Sequence, residues 1–127
     1  MYARAATAYR RVDLESAPRA EIVARLFVRF LDDLAAARTA ITARDVQGKA
    51  KAIDHAMLIV TELRAALDHG AAPALAANLE GLYAFVHDQL TRANLHLALE
   101  PLDAARRVMS DLGDAFAAVK NEPPASP

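Results

Sequence analysis

Cysteine is absent from this chain, and so is tryptophan. Without thiols there is no disulfide, no thiolate metal site, no c-type haem attachment and no cysteine nucleophile. Aromatic residues make up only 6% of the 127 positions, although 54% are hydrophobic. The apolar content is therefore mostly Ala and Leu, both strong helix formers, while strand-favouring residues are few and scattered. Excess charge of one sign is also missing: 15 basic and 16 acidic residues leave a net charge of -1. Nothing electrostatic recommends a nucleic acid as partner. No apolar run approaches the roughly 18–20 residues that span a bilayer, so membrane insertion is not expected. Met1-Tyr2-Ala3-Arg4-Ala5 has no apolar secretion core, which makes the cytoplasm the default location.

What is present is helical periodicity. In the central stretch Leu75, Leu79, Leu82, Val86, Leu90, Ala93 and Leu97 follow one another at three- and four-residue steps. That spacing puts them on one helical stripe, with Asn78, Tyr83 and Asn94 beside it. A chain of this length forms one domain. The expected architecture is all-α: an antiparallel up-down four-helix bundle with an N-terminal arm and a disordered C-terminal tail.

The arm is residues 1–17, where Tyr2, Tyr9, Val12 and Leu14 are isolated apolar points among Arg and Asp. The bundle is residues 18–119. Its first helix is expected over 18–43, opened by Pro18 and capped by Ser16, with Ile22, Val23, Leu26, Phe27, Phe30, Leu31, Leu34 and Ile41 inward and Val28 outward. The second is expected over 46–68, capped by Asp45. Its buried arc is Ile53, Ala56, Met57, Ile59, Val60, Leu63 and Leu67, and Leu58 points away from it. Gly70 suits a left-handed helix end, and Pro73 discourages continuation while permitting a new start. The third helix follows over 74–96. The fourth, over 101–119, carries Leu102, Ala105, Met109, Leu112, Phe116 and Val119 at helical spacing. The tail, 120–127, holds Pro123, Pro124 and Pro127 and cannot be regular helix.

Catalytic patterns are missing. Gly48-Lys49 lacks the rest of a phosphate loop, and His55, His69, His87 and His96 form no Glu-x-x-His or His-Glu-x-x-His motif. Asp32-Asp33 is the one adjacent carboxylate pair, and neighbours on a helix diverge by about 100°. The residues argue against an enzyme and require no cofactor or metal. His55 or His87 leaves a histidine phosphotransfer bundle as an alternative, and a self-associating structural bundle is a second.

Five segments in order resemble the flagellin-specific export chaperone family, FliS. Ala8-Tyr9-Arg10-Arg11-Val12 looks like that family's Ala-Tyr-x-x-Val opening. Pro18-Arg19-Ala20-Glu21-Ile22-Val23-Ala24-Arg25-Leu26-Phe27 is similar to its first-helix motif. Asp45-Val46, with Ala56, Ile59 and Leu63, fits its second helix. Gly70 and then Asn78-Leu79-x-x-Leu82-Tyr83-x-Phe85-Val86-x-x-x-Leu90-x-x-Ala93-Asn94 complete the set. The chain departs from the family at Val28-Arg29-Phe30, at Ala71-Ala72-Pro73, and at Phe116, which stands in place of a late Trp. The resemblance implies a cytoplasmic chaperone that binds the disordered C-terminal segment of flagellin, prevents premature polymerisation and delivers it to a component of the flagellar type III export gate. It implies client contacts near Tyr9, Val12, Phe27, Leu58, Tyr83 and Asn94, with the arm covering part of that surface. A homodimer is compatible with it.

Overall fold

The computed structural model describes residues 17–120, and side chains over 21–118. The expected arm and tail lie outside the described residues, apart from Ala17 and Lys120, which end the first and last helices. Four helices make up the all-α fold: α1 (Ala17–Thr42), α2 (Val46–Ala65), α3 (Pro73–His96) and α4 (Leu99–Lys120). Each helix packs on its sequence neighbours, and α1 also packs on α4, so the four close into a ring around one core.

Polar contacts between helices show the direction of each. Asp33 of α1 meets His55 of α2 (2.5 Å), and Arg38 of α1 meets Asp103 near the start of α4. Phe27, early in α1, lies beside Phe116, late in α4, with ring centroids 6.0 Å apart. Every neighbouring pair therefore runs antiparallel, as short connections require. The core interleaves bulky and small side chains. Phe30, Ile53, Leu63, Leu90, Met109 and Leu112 are fully buried, and so are Ala37, Ala56, Ala76, Ala93 and Ala105. The alanines let helix axes approach where the large residues leave no room.

Helix ends follow local hydrogen bonding. Asp45 caps α2: its Oδ1 accepts the Gly48 N–H at 3.0 Å. At the end of α1 the N–H groups of Arg44 and Asp45 turn back to the carbonyls of Ile41 and Ala40. That closure needs a left-handed residue, and Arg44 supplies it at φ 57° where glycine would be easier. Leu97, after α3, is left-handed too (φ 51°).

Several expectations change. α2 ends at Ala65, not at 68, because the Leu67 N–H tightens back to the Arg64 carbonyl. Gly70 is not left-handed. The Asp68 carboxylate organises this loop by accepting from Gly70 and Ala71 N–H at 3.1 and 3.0 Å. α3 starts at Pro73, one residue early, and α4 starts at Leu99 rather than Pro101. Pro101 is then the third residue of α4, where the first turn needs no N–H donor. Ile22, expected inside, is exposed. Its neighbour Val23 takes the inward position instead, about 100° around the helix. Leu97 is exposed as well, because the left-handed turn carries it off the α3 stripe.

Candidate docking site

Of the four neighbouring pairs, α2 and α3 touch least. Their seam is tied at two points. At one end, the buried ammonium of Lys49 donates to the Asn94 carbonyl at 2.9 Å. At the other, Arg64 faces Glu80 across 3.5 Å, with His69 on the second carboxylate oxygen. Along α2 these ties are about 22 Å apart at 1.5 Å per residue. No ion pair crosses between them among the described residues.

Helix period then determines which residues line the gap. On α2, steps of three and four from Lys49 to Arg64 pass through Ile53, Met57 and Val60, followed outward by Thr61. On α3, the same steps from Glu80 to Asn94 pass through Tyr83 and His87, followed outward by Ala84 and Thr91. Ile53, Val60 and Tyr83 form a buried floor, and Met57 is half-buried above it. Leu58, 61% exposed, stands on the outer face of α2, about 100° around the helix from Met57. Asp54 and Glu62 are exposed one turn on either side of Leu58, and neither has an ion-pair partner among the described residues.

The lower tie is a polar joint inside an apolar end. The last carbonyls of a helix lack intrahelical donors and carry its negative dipole end. At α3 the two backbone bonds that close α1 are not made, and the Lys49 ammonium serves the Asn94 carbonyl instead. Asn94 Oδ1 is buried and makes no hydrogen bond.

The six residues implied by the resemblance are therefore distributed unevenly. Tyr83 and Asn94 lie along the α2–α3 seam, and Leu58 is exposed on the outer face of α2. Phe27 is buried on the opposite side, against α4, where a β-carbon on Gly113 would sit 3.3 Å from its own. Tyr9 and Val12 lie outside the described residues. Sequence reasoning overlooked Lys49, although a signal existed. Lys49, Ile53, Ala56, Val60, Leu63 and Leu67 keep the period of the buried arc, which placed a cation on the inner face.

Other surface features are lesser. An open depression on α1 is lined by Glu21, Ala24, Arg25, Val28 and Arg29. A polar one between α3 and α4 includes Gln89, Arg92, Glu100 and Arg107. His55 and Asp33 tie α1 to α2, and no hydroxyl or amine joins them among the described residues. No group of three His, Asp or Glu able to hold a metal occurs among the described residues, and no helix there is long and apolar enough to cross a membrane.

Comparison with known families matches the chain to the model described as flagellar protein FliS, over residues 1–123. No curated protein matches the chain.

Proposed function

The chain belongs to the FliS family, a membership that supports a flagellar export chaperone in general terms, and from that premise we propose that its client is the C-terminal segment of flagellin. The segment binds as an amphipathic chain that orders on contact, with apolar anchors against the α2–α3 seam. Holding those anchors keeps subunits from pairing before export, and the complex is delivered to the flagellar type III export gate. The protein works in the cytoplasm, without a cofactor and without making or breaking bonds.

The observation that carries this reading is the seam itself. It joins the most loosely packed helix pair and has a half-buried Met57, and the outer face of α2 beside it bears the exposed Leu58. Methionine adapts to differently shaped guests, and an amphipathic helix in an apolar groove is a recurring mode of peptide recognition. Leu58, Tyr83 and Asn94 are the contacts we assign here. Tyr83 acts as floor rather than as an anchor point. Tyr9 and Val12 are further contacts in this proposal, and Phe27, buried against α4, contributes from within the core as Tyr83 does.

Calorimetric titration of a synthetic flagellin C-terminal peptide into the protein tests the proposal. Saturable binding with a clearly negative heat-capacity change is expected, because apolar surface is buried as the peptide orders. No binding at high micromolar peptide rejects it.

A further inference from the structure

The outward face of α3 differs from those of the other three helices. α1 presents Glu21, Arg25, Arg29 and Asp32 to solvent, α2 presents Lys51, Asp54 and Glu62, and α4 presents Arg106, Arg107, Asp111 and Asp114. From Pro73 to Val86, α3 holds one charged residue, Glu80, and that one faces Arg64 of α2. Steps of three and four along the outward face give Ala74, Ala77, Gly81, Ala84, Phe85 and then Asp88, all exposed. A phenylalanine ring on a charge-free helix face marks a contact surface. Gly81 points the same way. Glycine inside a helix is destabilising relative to alanine. Here its φ is not positive, and an added β-carbon would meet nothing within 4 Å, so the fold itself does not call for it. Glycine in such a place suits the close approach of another backbone. The start of α3 is also bare. Ala72 precedes it, no side chain caps it, and its first turn holds no acidic residue. Its free N–H groups and positive dipole end are therefore uncompensated.

We infer that this face is an interface between two copies of the chain. In an antiparallel pair with a two-fold axis at Gly81, residues equally far before and after that glycine meet. Ala77 of each copy then faces Phe85 of the other, a small residue under a ring, and Ala74 faces Asp88. The second match is electrostatic. Asp88 accepts from Arg92 at Oδ2. Its other oxygen comes to the bare α3 N-terminus of the second copy, where a carboxylate is favoured. The face is complementary to itself in shape and in charge, as an isologous contact requires. From Ala74 to Asp88 it is about 21 Å long, too small for a permanent dimer and suited to a weak, reversible one. The inference is independent of the client reading, because this face lies on the solvent side of α3 and not in the α2–α3 seam.

Sedimentation of the full chain from about 5 µM to about 1 mM tests it. Wild type is expected to pass from a 13.7 kDa monomer toward twice that mass. Gly81→Leu, which blocks the crossing, and Phe85→Lys, which sets a charge in it, are expected to stay monomeric throughout. Asp88→Asn raises the dimer Kd roughly 2- to 5-fold at low salt. Folding separates from association: in dilute solution Gly81→Leu melts no lower than wild type, since leucine is the better helix former at an open position. The inference is overturned if wild type stays monomeric over the whole range, or if Gly81→Leu and Phe85→Lys dimerise as wild type does. A monomeric wild type whose flagellin-peptide binding is lost in Gly81→Leu overturns it as well, and assigns the face to the guest.

Discussion

Truncating Leu58 to alanine separates binding from folding more cleanly than any other change in the chain. Fully burying a leucine side chain contributes about 1.5–3 kcal/mol. In the free protein Leu58 is 61% exposed, so more than half of that contribution remains available to a guest. Alanine retains part of the contact. The expected loss is therefore about 1–1.5 kcal/mol of binding, roughly a 5- to 12-fold rise in Kd for the flagellin peptide. Folding should hardly change. The side chain lies outside the core, and alanine is the better helix former, so stability should stay within about 0.5 kcal/mol. Leu63, five residues along the same helix and fully buried, is the control: Leu63→Ala should cost about 2–5 kcal/mol of stability. Peptide calorimetry and urea denaturation on the same preparations measure both quantities. The reasoning is refuted if Leu58→Ala binds as tightly as wild type, or if it unfolds as readily as Leu63→Ala.

Other substitutions probe the framework. Arg44→Gly should raise stability by about 0.5–1 kcal/mol, since relief of the left-handed backbone outweighs the added freedom of the unfolded chain; a lower urea midpoint would contradict this. Gly81→Ala should stabilise by about 0.8–1 kcal/mol, because an added β-carbon meets nothing within 4 Å there. Gly113→Ala should show clearly less gain by thermal melting, because its β-carbon meets Phe27 at 3.3 Å. Removing the α2 cap with Asp45→Ala should cost about 1 kcal/mol and lower helicity by circular dichroism. Lys49→Met should be tolerated better than Lys49→Ala in urea denaturation, because methionine fills the buried volume without a charge to satisfy, whereas alanine leaves a cavity.

Particular residues divide what was legible in sequence from what was not. Leu79, Val86, Leu90 and Ala93 were placed on the buried face of α3 by spacing alone, and Leu58 was placed outside on α2. Gly70 was misread because a left-handed glycine is the commonest helix end, while here a nearby carboxylate satisfies the loop N–H groups. Lys49 escaped notice because residue type outweighed its position in the period.

From the amino-acid order alone came four amphipathic helices, their order and the turns between them. Periodicity and capping act within a few residues, so they can be read locally. Which seam stays open, which carboxylates lack cations, and which helix end a distant lysine serves were decided only when the helices packed. Those properties belong to pairs of residues up to 65 positions apart, brought together by the crossing of helix axes and by nothing written in either segment.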